Sequence, residues 1–521
     1  MTSEASNGLS MWQRGEIQPD RVAVVGLPEG EISYGALAGR SHQWANAFRG
    51  LGIAAGETVA LMSPNSGEYL AVVFAAMETG LRLVPVNFHL TGPEVAYVLT
   101  DSGSVLLVAD ARVAEAALIA ADAASLDPAR RIAIGHIEGF RDASTLVDGA
   151  PASTPVDRRP GQRVYYTSGT TGRPKGVIKR APEGDVDLLA VGQSARTFES
   201  TGRGSAESSV TLVPGPLYHA APLGAAIGAL HLGQVAVLME KFDAEEALAL
   251  IERHKVTSTT MVPTMFVRML KLDAAVRAKY DVSSLRDVTH AGAPCAPDVK
   301  RSMIEWFGPI INEYYAASEG GGTRVTSAEW LERPGTVGRV TPGGDIRILD
   351  DDGHQLPAGE TGRVFMLLRE PFEYHNDPEK TAKAIIDGYF TVGDIGYLDH
   401  DGYLFLRDRS SELIIAGGVN IYPAEAEQAL LQHPSVRDVA VIGVPDPEWG
   451  ESVKAVVELM PTFQASDELA SELLEHCQAQ LAKYKCPRTI DFVDELPRLD
   501  NGKLYKRKVR ERYWSDRERA I

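Results

Sequence analysis

Tyr165-Tyr166-Thr167-Ser168-Gly169-Thr170-Thr171-Gly172-Arg173-Pro174-Lys175-Gly176 is the stretch from which the rest of this chain can be read. It follows an apolar strand expected at Arg163–Thr167, and its last ten residues hold four hydroxyls, three glycines and a lysine. Glycines let backbone N–H groups approach and turn towards an anion, hydroxyls donate hydrogen bonds, and lysine supplies charge. Those are the requirements of a polyphosphate cradle. The stretch is not a Walker A loop, because Gly176 rather than Ser or Thr follows the lysine and the glycine spacing differs.

On both sides of this loop, strands alternate with helices. Upstream, Arg21–Val25, Thr58–Met62, Val84–Val86 and Ser104–Ala109 read as buried strands, and Tyr34–Leu51 has helical periodicity. Downstream, strands are expected at Val210–Pro214, Val235–Met239, Ser258–Val262 and Asp287–His290, with helices at Glu245–His254 and Asp298–Phe307. This alternation predicts an α/β layer with a largely parallel sheet. After Pro334, short strands separated by Gly/Asp/Asn turns predict a small β-rich module. Beyond Arg409, a helix at Ala424–Gln432, strands at Val436–Ile442 and Ser452–Leu459, and a helix at Glu472–Ala482 predict a compact α+β tail. The texture places the domain boundary at 408–411, so that 1–408 and 412–521 are the expected units.

At 521 residues the chain exceeds what one core can serve. Its 52 basic and 70 acidic side chains leave a formal charge of −18, which disfavours nucleic acid and anionic membranes. A small anion can still bind where local dipoles and a few lysines focus positive potential. Cys295, Cys477 and Cys486 form no CxxC pair and no metal spacing, as expected of reduced thiols in a cytoplasmic protein. No signal peptide is read at Met1–Ser10, and no apolar run approaches the length of a bilayer span.

Three further stretches offer chemistry. Asn312-Glu313-Tyr314-Tyr315-Ala316-Ala317-Ser318-Glu319-Gly320 contains an aromatic that can stack on a purine, a serine that can donate to phosphate, and a carboxylate suited to Mg2+. In Tyr389-Phe390-Thr391-Val392-Gly393-Asp394, the Asp394 carboxylate can accept from both hydroxyls of a ribose diol. Asp500-Asn501-Gly502-Lys503 places a lysine after a tight turn. Taken singly, each has a plain structural explanation: a strand edge, a turn and a surface lysine.

Together, in this order and at these separations, they resemble the adenylate-forming superfamily: acyl-CoA synthetases, firefly-type luciferases and peptide-synthetase adenylation domains. The resemblance runs from Tyr34 to Arg507. It implies a large N-terminal domain of layered α/β subdomains with the β-rich module, a hinge at 409–411, and a small mobile α+β C-terminal domain. Thr167, Ser168, Gly169, Thr170, Thr171, Gly172 and Lys175 would form the phosphate loop, with Lys175 near the β- and γ-phosphates. Gly292, Ala293 and Pro294 would line the adenine site, with Tyr315 packed on the base. Ser318 would contact the α-phosphate, and Glu319 would hold Mg2+ with Thr167. Asp394 and Arg409 would hold the ribose hydroxyls. Lys503 would be the mobile catalytic lysine, and His219 would stand at the mouth of the acyl pocket. Gly417 and Gly418 would line a pantetheine tunnel where a Cβ would obstruct a thin chain. Trp449 and Lys485 match positions that contact CoA, although packing explains Trp449 equally well.

ATP, Mg2+ and coenzyme A are thus the implied cofactor and co-substrates, and a carboxylic acid the substrate; a homodimer is one assembly the resemblance admits. Attack of a carboxylate on the α-phosphorus brings two anions together, so positive charge and in-line placement are what such an enzyme must supply. Two positions depart from the pattern: Ser411 stands where the hinge usually has Asp or Lys, and Cys486 where some relatives carry a base. The readings weighed are an acyl-CoA synthetase, a ligase loading an acyl carrier protein, and a non-catalytic nucleotide-binding relative. Retention of Lys175, Glu319, Asp394 and Lys503 opposes the last, and Leu217-Tyr218-His219-Ala220 lacks the aspartate that would pair an amino acid's ammonium group. Small residues at Ala220, Ala221, Leu223, Gly224, Ala225 and Gly320–Gly322 favour a bulky hydrophobic acid over acetate. Fatty, aryl and steroid side-chain acids all fit that space.

Overall fold

The computed structural model describes residues 8–514 apart from 168–173, 202–205, 294, 410, 411, 413, 417, 418, 447, 448, 482 and 499–503. The expected roles of Ser168 to Gly172, Pro294, Ser411, Gly417, Gly418 and Lys503 therefore lie outside the described residues, as do the side chains of Thr167 and Arg409.

Two parallel sheets form the body of the N-terminal part. In the first, Val22–Val25, Val235–Leu238, Val210–Val213, Ser258–Met261, Asp287–His290 and Ile311–Tyr315 lie side by side in that order. Antiparallel strands extend it at both ends, among them Thr323–Val325 beside Ile311–Tyr315. The second sheet has Thr58–Met62 at its centre, between Arg82–Pro85 and Ser104–Asp110. Thr58–Met62 is buried at every residue, because helices cover both of its faces. Val59 and Leu61 enter the layer between the two sheets, whereas Ala60 and Met62 face the outer helices. The first sheet behaves likewise: Ala236 and Leu238 point into the shared layer, and Val237 and Met239 point out. The shared layer comprises the helices Met11–Ile17, Tyr34–Gly50, Gly67–Glu78 and Ala220–His231.

The β-rich module is antiparallel. Gly362–Leu367 pairs with Tyr389–Phe390 and Asp394–Leu398, and Asp394–Leu398 pairs in turn with Leu404–Arg409. The C-terminal part is an α+β unit on the long hairpin Val436–Asp446 and Gly450–Leu459, covered by the helices Pro423–Leu431 and Asp467–Gln478. This is the expected α/β architecture with a large N-terminal and a small C-terminal domain. Among the described residues no helix is long and apolar enough to cross a membrane.

Three local readings need correction. The strand expected at Arg163–Thr167 serves two sheets. Gln162–Arg163 joins the second parallel sheet, whereas Tyr165–Thr167 pairs antiparallel with Lys175–Val177 in a separate three-stranded sheet. The helix expected at Glu472–Ala482 runs from Asp467 to Gln478, because Ser466 caps Leu469 N and two acidic residues occupy its first turn. The helix Met11–Ile17 was not anticipated, although Ser10 and Gln13 close a capping box at its start.

A buried polar network ties the shared helical layer to the segment that leads into the loop. Glu78 is wholly buried, accepts from Ser41 Oγ at 3.0 Å and Arg158 Nε at 3.0 Å, and lies 3.5 Å from His42. Arg158 also grips Asp187 with two nitrogens, at 2.6 and 3.1 Å, anchoring the helix Val186–Thr201. Burial, only partly opposed by Arg158, pushes the Glu78 carboxyl up to about 7. Between the ordinary carboxyl range near pH 4.5 and about pH 7, the folded chain therefore holds a proton that the unfolded chain has released. Stability contributed by this group is complete below that window and is lost as pH rises through it. Glu78→Gln should remove that fall, measured as thermal midpoints of the two proteins from pH 4.5 to 7.5. His42, whose pKa burial lowers, contributes a slope of the opposite sign, and the double variant Glu78→Gln/His42→Gln set against His42→Gln alone separates the two neighbours.

Candidate active site

Three sheets meet at the site, and each delivers a different group. The first parallel sheet brings Gly292, Ala293 and Tyr315. Gly292 follows the C-terminal end of Asp287–His290 with φ +86°, a left-handed conformation in which a side chain would be strained. Tyr315 ends the adjacent strand, and its hydroxyl donates to Asp394 Oδ2 at 2.5 Å. Asp394 is buried and opens its strand in register with Arg409, so two expected ribose contacts are neighbours across a ladder. Ser318 is half-buried in the turn that returns the chain to Thr323–Val325.

The three-stranded sheet delivers Lys175 directly opposite Thr167, so the phosphate-loop stretch joins the two strands of a hairpin. Its third strand, Phe372–Tyr374, pairs with Val177–Lys179. Tyr374 donates its hydroxyl to Glu319 Oε1 at 2.7 Å, and Glu319 is only 6 % exposed. Lys175 Nζ lies 3.4 Å from Asp377 Oδ2. Asp377 also caps the helix Pro378–Ala384 by accepting from Lys380 N, and these contacts hold its carboxyl below the usual range. Lys380 Nζ sits 4.4 Å from the centre of the Tyr374 ring. Burial lowers the pKa of Lys380, while Asp377 and Glu319 pull it back up. Val177, Tyr315, Ala317, Met366, Tyr374 and Phe390 pack as one apolar cluster beneath these groups.

The structure therefore brings Lys175, Tyr315, Glu319 and Asp394 together and adds Tyr374, Asp377 and Lys380, which sequence reasoning missed. Asp377-Pro378 carries a readable helix-start signal, but nothing local shows that its partner is Lys175 about two hundred residues earlier.

His219 stands on another flank, at the N-cap of Ala220–His231. Its ring lies 4.3 Å from that of Tyr218, which meets Phe88 edge-on at 5.4 Å. Along the same helix Gly224 is half-buried, yet a Cβ there would meet no atom within 4 Å. One turn on, a Cβ at Gly228 would stand 2.4 Å from Phe198, so that position is closed. Trp449 is 42 % exposed in the C-terminal hairpin, with the Arg488 guanidinium 5.4 Å from its ring centre. Lys485 pairs with Glu425 at 2.5 Å, and Cys486 is buried rather than presented at the surface.

The chain as a whole has counterparts among known proteins. The model of the AMP-binding enzyme family matches residues 11–369, and that of the AMP-binding enzyme C-terminal domain matches 425–503. The chain belongs to this family, the adenylate-forming enzymes. It is 33 % identical to the long-chain-fatty-acid–CoA ligase FadD13 of Mycobacterium tuberculosis, covering 97 % of this chain and 98 % of that protein. It is 32 % identical to the fatty acid–[acyl-carrier-protein] ligase ScoC of Streptomyces coeruleorubidus, covering 97 % and 96 %. The solved structure of ATP-bound MatB from Rhodopseudomonas palustris superposes with a TM-score of 0.80 at 29 % identity, over 97 % of this chain and 99 % of that one.

Tyr374→Phe leaves the buried Glu319 carboxylate without its donor. It should cost about 1–3 kcal/mol, read as a lower thermal midpoint in nucleotide-free protein.

Proposed function

We propose that this chain is an ATP-dependent acyl-CoA synthetase that acts in the cytoplasm on a bulky hydrophobic carboxylic acid. The observation that carries the reading is the pairing of Tyr315 with Asp394 next to Tyr374 with Glu319, opposite Lys175. Base, ribose and phosphate contacts would thereby fall on one continuous surface.

In the first half-reaction an oxygen of the acid forms a bond to the α-phosphorus of ATP as the bond to the bridging oxygen breaks, and pyrophosphate leaves. Tyr315 would pack on adenine while Asp394 and Arg409 hold the ribose, fixing the phosphorus in line with the acid. Lys175 would exchange Asp377 for the terminal phosphates, and Lys503 would neutralise charge between carboxylate and α-phosphate. Glu319 fits a hard divalent cation: Tyr374 engages one carboxylate oxygen, and the second would bind Mg2+ with Thr167. When bound, that ion would withdraw charge from the phosphates. In the second half-reaction the CoA thiolate attacks the acyl carbon and AMP departs with the electron pair of the anhydride oxygen. No protein nucleophile is needed.

The division into 1–408, a hinge at 409–411 and a mobile 412–521 is supported by the ends of the sheets. The antiparallel module's last strand ends at Arg409 and the C-terminal sheet begins at Ile414. Gly417 and Gly418 favour a thin thiol, as does the likeness to a named CoA ligase. Likeness to a named carrier-protein ligase favours the second reading, in which the acyl group passes to an acyl carrier protein. The open space beside Gly224 supports a large acid.

With ATP and Mg2+, a panel of acids should release pyrophosphate at least about tenfold faster for long-chain or aromatic acids than for acetate, and CoA should accelerate AMP release. A preference for acetate overturns the substrate reading. Release of AMP that responds to a phosphopantetheinylated carrier protein but not to CoA hands the function to the second reading. Lys503→Ala should cut acid-dependent pyrophosphate release by roughly 10²–10³ while sparing thioester formation from supplied acyl-AMP. Equal loss in both half-reactions contradicts the assignment.

A further inference from the structure

Behind the Gly292 turn lies a buried ionic cluster that the proposed chemistry does not use. Lys300, on the helix Pro297–Phe307, is fully buried, and its Nζ donates to Glu313 Oε2 at 2.6 Å. His290 Nε2 lies 3.3 Å from the same oxygen, and the ring is fully buried edge-on to Phe266 at 5.4 Å. Lys300 also sits 5.0 Å from the ring centre of Trp330. Burial and the Lys300 charge hold the imidazole pKa well below its ordinary value, so His290 is neutral. Burial raises the Glu313 carboxyl against the pull of Lys300.

The cluster's position in the fold is its significant property. His290 and Glu313 are register partners on adjacent parallel strands. Two residues beyond His290 is Gly292; two residues beyond Glu313 is Tyr315. The connection from Gly292 to Ala296 therefore leaves the sheet at His290 and enters the helix that carries Lys300, and Glu313 touches both ends. A buried ion pair is a weak source of stability, since apolar side chains of similar volume often serve the fold as well or better. Its geometry is strict, however, because Nζ must reach one oxygen in a dry interior.

We propose that Lys300, Glu313 and His290 are positioning residues that set the spacing between the Gly292 turn and Tyr315, and so the width of the slot for the purine base. The inference rests on the reading of those two segments as the adenine side of the site. None of the three residues would touch the nucleotide. Loosening the clamp should weaken nucleotide binding and blur the choice of base, while leaving the acid's pocket unaltered.

The decisive protein is the full-length double variant Lys300→Met/Glu313→Leu, which removes both charges and keeps volume. It should keep a thermal midpoint at or above that of the wild type. Calorimetric titration with ATP and separately with GTP should show ATP affinity falling about tenfold and the ATP-to-GTP preference narrowing by at least threefold. Glu313→Gln retains an acceptor for Lys300; it costs stability because the buried ammonium loses its counter-charge, and it is titrated below its own thermal midpoint. It should show the same changes at reduced size, and Glu313→Asp should restore part of the preference. A folded variant of either kind with wild-type affinity and base preference overturns the proposal, as does an equal loss for both nucleotides. Because the readout is nucleotide binding without acid or CoA, it stands apart from the acyl-CoA reading: wild-type protein that binds ATP but activates no acid defeats that reading alone.

Discussion

A parallel sheet exposes no face that water can be left to cover, because its crossover helices lie on both sides. Two such sheets in one chain leave four faces to bury, and this fold buries two of them with a single helical layer. Leu61 from one sheet and Leu238 from the other meet the same helices. That sharing fixes the sheets' separation, and with it the spacing of the loops at their ends. The site occupies such an end, where strand termini, the antiparallel module and the three-stranded sheet converge. Its polar groups are held by contacts between sheets, such as Tyr315 with Asp394 and Tyr374 with Glu319, rather than within any one of them.

Much of this was legible in the chain because buried parallel strands are written as unbroken apolar runs. Thr58–Met62 was bounded correctly on that signal, whereas Asp287–His290, with Val288 its only apolar residue, was bounded correctly within the alternation of strands and helices around it. Polar clusters were legible where composition was dense, as in the stretch around Thr167 to Gly176. Two kinds of feature were not. Local capping was overlooked where a serine preceded a weakly apolar helix, as at Ser10 and Ser466. Partners distant in sequence carried no signal: nothing beside Lys175 indicates Asp377, and nothing beside Glu313 indicates Lys300 as its counter-ion.

The negative net charge and the needs of an anionic substrate are reconciled by pairing. Lys175 has Asp377, Lys485 has Glu425, and Lys506 has Glu412 and Glu427. On the proposed reading, a phosphate arriving at Lys175 would exchange one anion for another instead of filling a bare positive hole. Exchange of this kind lowers the net gain on binding but keeps the empty site from collecting stray anions.

Gly224 and Gly228 lie one helical turn apart and impose opposite constraints on the chain's descent. At Gly228 the adjoining helix has inserted Phe198 into the space, so change there would pry apart two layers of the body. At Gly224 no atom stands within reach of an added methyl group. Substitution can thus add a side chain at one position while the other keeps the helix seated. On the proposed reading, in which Gly224 borders the acid's pocket, the range of acids accepted would shift through single substitutions there without the scaffold having to be rebuilt.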